Sequence, residues 1–457
     1  MRKLIIIWSL LVTTINYAQN KQLLYGFDEL PQTLLLNPGA EVSYKTHVGM
    51  PLLSGIHLQG GFSGFSAYDI FKDDGVDVNI KIRNVVDQFG TQEFVSFNQQ
   101  LEVINAGFRL PNNSYLSFGY YQETDFIGRI PKDMVDLFYH GNTIDKVYSF
   151  NKFGLRADVT GVLHVGISKK INNKWQVGAR AKIYSGVANA RAKIKSGDFY
   201  TENGNQNVYN HHLDNVDLYF QSSGIILDDY DDVETSFYTK KLLFGGNLGL
   251  GIDVGFTHHL TKHWEITGSV LDFGFISNSK ETESYTVKGD YQIEGINLFF
   301  DENNPQDYWS DLEDDFNSKV VTDTIYSSYT SLKPIKFNGA ITYSFGKPRT
   351  DDCRFQTEFN VFTNRLGFQL YSTLGEINSQ IAATLFYERR INKNIRVKAT
   401  YTADSFSYKN IGLGVSTKIG AFNSYLLVDN LLNMNNVYNA KSASIQAGIN
   451  LIFNNKN

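Results

Sequence analysis

The chain has 457 residues, with 42 Lys and Arg against 47 Asp and Glu, a formal charge of −5. So mild a balance gives neither a basic surface for nucleic acid nor a strongly acidic, solvating composition. A single cysteine, Cys353, excludes an intramolecular disulfide and any metal site built on cysteine pairs, while aromatic residues are high at 14% and charged residues low at 19%.

Arg2 and Lys3 precede an apolar run over 4–12 and then Asn16-Tyr17-Ala18-Gln19. This is the layout of a cleavable signal peptide over residues 1–18, cut after Ala18. The alternative, a membrane anchor, needs roughly 20 apolar residues, and this run is shorter. No cysteine follows the cut to take a lipid, and every later apolar run is broken by polar residues within a few positions. A helical inner-membrane protein is therefore excluded.

Residues 19–43 form a separate unit in which the stretch 30–40 is apolar without a strand period. It is expected to be a plug-like periplasmic segment, folded into a lumen or across its floor, rather than an ordinary lead-in to a strand. Residues 44–457 are expected to be the barrel.

From about Val95 to Phe453 apolar and polar residues alternate in segment after segment. Ile395, Val397, Ala399, Tyr401 and Ala403 share one face, and Arg396, Lys398, Thr400, Thr402 and Asp404 the other. Leu248, Leu250, Ile252, Val254 and Phe256 alternate with Gly249, Gly251, Asp253 and Gly255 in the same way. Trp175, Val177, Ala179, Ala181 and Ile183 alternate with Gln176, Gly178, Arg180, Lys182 and Tyr184, and Phe355, Thr357, Phe359 and Val361 with Arg354, Gln356, Glu358 and Asn360. Behind a secretory signal, so many half-greasy strands predict an all-β transmembrane barrel, antiparallel and up-and-down, with apolar faces on lipid.

Short turns give the count. They fall at 111–113, 172–174, 261–263, 346–352, 392–394 and 420–422, each rich in Gly, Asn, Pro or other turn residues. Facing the periplasm, they pair twelve strands, and one strand before and one after bring the total to fourteen. An even number suits a bacterial barrel. The last strand ends near the terminus at Phe453, as in strands read by the barrel-insertion machinery. The longer connections should be extracellular, with short helices within 66–93, 131–142 and 307–320.

Candidate lumen-facing residues follow from the alternation: Arg180, Lys182, Asp253, Arg354, Glu358, Arg396, Lys398 and Asp404. Both signs of charge suit a salt-bridged interior or a wet channel. Glycines on that face, such as Gly249, Gly251 and Gly255, leave room for a plug or a solute, or else permit strand curvature. Asp272 and Asp429 lie in otherwise apolar strands, and a carboxylate on lipid at mid-depth costs a few kcal/mol, so both should point inward or lie near an interface. A bulge after Val270, where the period changes phase, would turn Asp272 inward.

Other constellations give less. The acidic runs 228–232 and 311–315 lack the spacing that wraps one calcium ion and read as solvated loop charge, or as charge bridged by divalent ions to lipopolysaccharide. His258, His259 and His263 fall at a strand end and its turn, an interfacial rather than a zinc-binding position. His211 and His212 are expected in a loop without a partner. No nucleophile elbow is present, and His164 and Asp253, both inward, lie in different hairpins.

Several short stretches go further. Leu34-Leu35-Leu36-Asn37-Pro38-Gly39-Ala40, the following 48–56, Arg129-Ile130-Pro131-Lys132-Asp133 leading to His140-Gly141-Asn142, the run 269–276 and Leu427-Val428-Asp429-Asn430-Leu431 occur in one order along the chain. Together they resemble an uncharacterised outer-membrane barrel family common in Bacteroidota, with Gly39 standing where that family more often has alanine. The resemblance marks Asn37, Pro38, Asp272 and Asp429 as motif residues. It implies a fourteen-strand barrel broadly similar to the long-chain fatty-acid transporter superfamily and to barrel subunits of the type 9 secretion system, and implies no activity.

The resulting expectation is a non-enzymatic barrel in the outer membrane of a Gram-negative bacterium, without cofactor or metal. Its role is an accessory subunit of an envelope secretion or assembly complex, or a structural barrel. The alternative is a transporter or channel for small, hydrophobic solutes; a soluble secreted binding protein is a third class. Expected partners are outer-membrane lipid, lipopolysaccharide and envelope proteins, with no nucleic acid.

Overall fold

A computed structural model describes residues 21–205, 207–225, 239–294, 308–346, 362–377, 379–404, 406, 408, 410–431 and 440–453. The expected signal peptide, the 228–232 run, Cys353, Arg354 and Glu358 lie outside them.

The wall is a closed antiparallel barrel of fourteen strands. Its first strand is split into β1 (Thr46–Gly49) and β2 (Ile56–Phe62), both pairing the next and the last strands of the wall and so closing it. From there the wall runs through β3 (Gln92–Arg109), β4 (Ser114–Pro131), β6 (Gly154–Lys170), β7 (Trp175–Asn203), β9 (Asn247–His259) and β10 (Trp264–Asn278). It continues through β13 (Tyr329–Leu332) with β14 (Ile335–Phe345), then β15 (Asn364–Leu374), β16 (Gln380–Arg390), β17 (Ile395–Ala403), β18 (Asn410–Ile419), β19 (Phe422–Asp429) and β20 (Ser442–Phe453).

The alternation is the reverse of a soluble core. In β9, Leu248, Leu250, Ile252 and Val254 are exposed on the outer surface while Asn247, Asp253 and Thr257 are buried inside. Closing the sheet removes the edges that a lipid-facing sheet cannot leave unpaired. At the end bearing the short turns, aromatic rings form a girdle: Trp175 stacks on His258 at 4.0 Å, and Trp264 meets Tyr343 at 4.9 Å.

The turns close on side chains that replace backbone acceptors. Asn172 Oδ1 accepts the N–H groups of Lys174 and Trp175 at 2.8 and 2.9 Å, and Asn392 does the same for Asn394 and Ile395. Asn113 and Gly420 take φ near +61°, as tight reversals require. One turn differs from the expectation: β14 pairs with β15, register Phe345 to Asn364, rather than with a strand over 354–361 reached through a turn at 346–352. The alternation of Arg365, Gly367 and Gln369 against Leu366, Phe368 and Leu370 is the one the wall uses.

At the opposite end are the helices Ala67–Phe71, Val78–Gln88, Lys132–His140 and Tyr308–Lys319. Asp77 caps the second by accepting Asn79 N–H at 2.8 Å. This end also carries strands where only loops and helices were expected. β7 is 29 residues long and outgrows the wall, pairing with β8 (Tyr209–Ser223); β8 pairs with β11 (Thr282–Ile293), and β11 with β12 (Val320–Ile325). The two-residue β5 (Tyr148–Ser149) joins β7 from its other edge. His211 and His212 therefore sit in a strand with partners: His211 contacts Thr201 Oγ1 at 2.9 Å and His212 stacks on Tyr200 at 4.5 Å.

Residues 21–45 fill the turn-end half of the bore. Leu23, Leu24, Phe27 and Leu30 pack on Tyr425 and Leu427, and Leu34, Ala40, Val42 and Tyr44 on Tyr115 and Ile452. Pro31 opens a short 3-10 helix, Pro31–Leu35, where its missing N–H costs nothing.

Candidate functional site

A chain without strand period can enter a barrel only if its backbone groups find partners there. The wall supplies them as side chains. Arg180 donates to the Leu35 carbonyl at 2.8 Å, Ser269 to Leu36 at 2.6 Å, Thr257 to Gly39 at 2.9 Å and Gln176 to Ala40 at 2.9 Å. Asn37 Nδ2 donates to the Phe256 carbonyl at 3.2 Å while its Oδ1 accepts Gly39 N–H at 2.9 Å. The segment runs so close to β7 and β9 that side chains are excluded there. A Cβ on Gly178 would lie 2.0 Å from the Pro38 carbonyl oxygen, and one on Gly255 would lie 2.1 Å from Asn37 Oδ1. Gly39 itself approaches the Gly255 carbonyl to 2.4 Å at its Cβ position, so alanine there would require the backbone to move. Gly412 and Gly414 likewise face Leu23 and Phe27 of the segment, whereas Gly251 serves the wall by leaving room for the Tyr184 ring.

Each acid within 21–45 meets a wall cation or imidazole. Asp28 pairs with Arg365 at 2.7 Å, Glu29 with Arg396 at 3.0 Å and Glu41 with His259 Nε2 at 3.0 Å. The wall groups are cross-linked in turn: Arg365 pairs with Glu265 at 3.0 Å, and Arg396 with Glu388 at 3.1 Å. Lys398, fully buried, donates to the Tyr25 carbonyl at 2.6 Å over the Phe386 ring. Burial pushes the Asp28 carboxyl up to about 7, against the opposing pull of Arg365. Of the three turn-end histidines, His258 stacks on Trp175 at the surface, and His263 meets the Ser344 carbonyl at 2.7 Å. His259 alone faces inward, with Glu41 on one ring nitrogen and Glu265 at 3.7 Å from the other. His259 thus takes a carboxylate at each ring nitrogen, and the three groups, whose ligand atoms lie within 4.8 Å of one another, bridge plug to wall.

Beyond the plug lies a second charged cluster. Asp253 holds Arg180 at 2.7 Å and Lys182 at 2.9 Å, and Asp272 holds Lys182 at 2.5 Å and Lys336 at 2.9 Å. Asp272 stands at a slip: β9 and β10 change register between Val270 and Phe273, and its φ is +61°. Leu271 and Asp272 are both buried, which is the signature of an extra residue in one strand. The facing strand is broken at the same level. β10 pairs with β14 up to Leu271–Lys336 and resumes with β13 at the bond from Lys333 N–H to the Gly274 carbonyl and the pair Phe275–Leu332, leaving Phe273 opposite Pro334, which has no N–H to offer.

At this interrupted ladder the wall opens into a cavity of about 820 Å³. Outer-surface side chains Leu250, Phe273, Phe275, Leu332 and Leu374 line it together with inner Arg156, Arg191 and Lys333. It adjoins an interior cavity that shares Arg156, Pro334 and Glu376 and reaches Asn98, Lys336 and Tyr371.

The remaining candidates lie elsewhere. Asp404 is buried at the end of β17, where it accepts Phe406 N–H at 2.8 Å and Asn410 Nδ2 at 3.2 Å. Asp429 is buried and accepts Ser444 Oγ at 2.7 Å. The His164 ring lies tilted against Tyr121 at 5.7 Å, and no contact joins it to Asp253 among the described residues. Sequence reasoning missed Arg365, Glu388, Lys336 and Glu123, although each sits on the inward phase of a strand.

Residues 38–429 match the family of unknown function DUF5723. The chain belongs to that family. No curated protein matches this chain in sequence. Among solved structures it is similar to the Ralstonia pickettii toluene transporter TbuX, at 8% identity and a TM-score of 0.42 over 93% of both chains. It is also similar to a Pseudomonas aeruginosa FadL homologue, at 10% identity and 0.45 over 97% of this chain and 99% of that one. The P. putida toluene transporter TodX gives 9% identity and 0.38 over 97% of both chains. The DUF5723 member is a closed fourteen-strand barrel with a filled turn end and an interrupted wall.

Proposed function

We propose that this barrel is a non-enzymatic, outer-membrane passage for small apolar solutes that communicates sideways with the membrane. The short turns face the periplasm in this reading. The observation that carries it is the cavity at the slip, lined by lipid-facing Phe273, Phe275 and Leu332 and by interior Arg156 and Lys333 at once. A barrel serving as scaffold alone has no use for a break in its hydrogen-bond ladder at the level where lipid meets lumen. The packed segment 21–45 then closes the straight route to the periplasm, so that an apolar solute moves through the wall more readily than ions move along the axis.

The test is uptake of an apolar tracer such as toluene into proteoliposomes, alongside ion conductance in planar bilayers. Wild type should accelerate uptake while conducting poorly, and Leu332→Trp, at an exposed wall position, should cut uptake several-fold with the barrel folded. Wild-type uptake no faster than that of protein-free vesicles, or uptake left unchanged by Leu332→Trp, would sink the reading.

The accessory-subunit reading has an observation of its own. The β7, β8, β11 and β12 sheet projects past the wall and offers Val321 and Tyr326 to solvent, a surface for an envelope partner. Stoichiometric co-purification of one partner in mild detergent would favour it.

A further inference from the structure

We propose that the cavity at the slip binds the phosphate-bearing headgroup of a lipid in the leaflet at the loop end of the barrel. This goes beyond passage of an apolar solute, and it holds whether or not any solute passes.

Three cationic side chains line the inner rim of the cavity, and each keeps a buried nitrogen with no hydrogen-bond acceptor among the described residues: Arg156 Nε, Arg191 Nε and Lys333 Nζ. Arg156 and Lys333 are 5% and 4% exposed. Their existing partners leave those nitrogens over. Arg156 spends a terminal nitrogen on Asp158, and Arg191 spends its two on Glu376 at 3.1 Å and on the Leu332 carbonyl at 3.4 Å. Lys333 Nζ stands 3.6 Å from Glu123 and 3.9 Å from Asp125, attracted by both but outside bonding distance. Buried cationic donors without acceptors are costly, so a group that satisfies them is bound by what it relieves.

The number of donors and the position of the cavity select the group. A terminal phosphate offers a separate oxygen to each free donor and carries more negative charge than a carboxylate, which suits three cations, and guanidinium groups suit phosphate geometry. The outer rim, Phe273, Phe275 and Leu332, is apolar and open to the lipid side, as an acyl chain requires. Depth agrees. Trp264 opens β10 in the turn-end girdle and Phe273 lies nine positions on. At about 3.3 Å per residue and a tilt of about 40°, that is roughly 23 Å along the axis, against an apolar band about 25 Å tall. The cations therefore lie at headgroup level of the loop-end leaflet, with the apolar rim beside the chains. Glu376, half-exposed at the rim, is the anion a phosphate would displace from Arg191.

The experiment uses the full chain, delipidated in mild detergent, and reads binding of phosphatidic acid from nanodiscs or by native mass spectrometry, with phosphatidylcholine, palmitate and inorganic phosphate as separate probes. Phosphatidic acid should bind in preference to the other three. Arg191→Gln and Lys333→Gln should each weaken it about tenfold, the size expected for one charge-assisted hydrogen bond. Glu376→Gln should strengthen it, and Lys319→Gln, on the distant loop-end helix, should leave it unchanged. Heat-modifiable gel migration reports that each variant is folded, and Glu376→Gln, being at an exposed position, keeps the test alive if a buried variant is not. Binding unaltered in Arg191→Gln, Lys333→Gln and Glu376→Gln overturns the proposal. So does palmitate binding as tightly as phosphatidic acid, or inorganic phosphate binding as tightly as the lipid. Loss of tracer uptake with lipid binding intact, or the reverse, separates this site from the passage.

Discussion

Asp253 accepts the backbone N–H of Asp272 at 2.7 Å, and so the carboxylate of one strand fixes the extra residue of the next. The same Asp253 carboxylate holds Arg180 and Lys182, and Lys182 returns to Asp272. Backbone irregularity and buried charge are therefore one unit. The bulge brings Asp272 inside, and the charges inside keep the bulge.

Replacing Asp272 separates the two contributions. Asp272→Ala leaves Lys182 and Lys336 facing a missing anion and forces a Cβ-bearing residue without a local hydrogen bond to keep a positive φ; breaking a buried pair in this way costs on the order of 3–5 kcal/mol. Asp272→Asn keeps a residue at ease with that φ and loses only the charge. Urea unfolding in micelles should rank wild type above Asp272→Asn and Asp272→Ala lowest. Equal stability of the two variants would mean that the backbone conformation contributes nothing.

The wall break makes a second prediction. Phe273 faces Pro334 in the gap between the pair Leu271–Lys336 and the bond from Lys333 N–H to the Gly274 carbonyl at 3.0 Å, and a residue with an N–H at 334 adds a donor to that gap. Pro334→Val should narrow the cavity, slow apolar uptake and raise the thermal midpoint. Unchanged uptake at raised stability would show that the opening is not the route.

The plug should respond to pH through Asp28. Its carboxyl is raised from an ordinary 3.8 to about 7 by burial, so between those values the folded chain holds a proton that the unfolded chain has lost. Stability then falls as pH rises from about 4 to about 7 and levels off above. Thermal midpoints measured from pH 4.5 to 8 should decline, and Asp28→Asn should flatten part of that decline. An unchanged slope in Asp28→Asn would assign the titration to other groups.

Much of this was legible in the sequence, for reasons that also explain the failures. Lipid forces strict alternation on each spanning strand, and tight turns force Asn and Gly, so Asn172, Thr261 and Asn392 mark true reversals and the count of fourteen follows. The phase change after Val270 was readable as a bulge because lipid tolerates no slip. Past the membrane that constraint ends: Phe199 and His211 sit in strands with wet flanks, and nothing in their neighbourhood separates strand from loop. Contacts such as Asp28 with Arg365 join residues more than three hundred positions apart, and only closure of the barrel brings them together. The stretch 354–361 alternates as well as Arg365 to Leu370 does, and pattern alone could not say which of them pairs with β14.

The approach of the plug to β9 yields the sharpest prediction, because the two glycines fail for different reasons. At Gly255 a Cβ meets a side-chain atom, Asn37 Oδ1 at 2.1 Å, whereas at Gly178 it meets backbone, the Pro38 carbonyl oxygen at 2.0 Å. Gly255→Ala and Gly178→Ala should both displace residues 21–45, raising ion conductance and exposing the segment to protease while the barrel stays closed. Adding Asn37→Ala removes the obstacle at 255 but forfeits two hydrogen bonds, to the Phe256 carbonyl and from Gly39 N–H, each worth about 0.5–1.5 kcal/mol, so the double variant should regain only part of its protection. The same second change should not rescue Gly178→Ala, since no side-chain truncation moves the Pro38 carbonyl. Rescue of both, or of neither, would mean that the segment is held by its ion pairs and not by its fit against these strands.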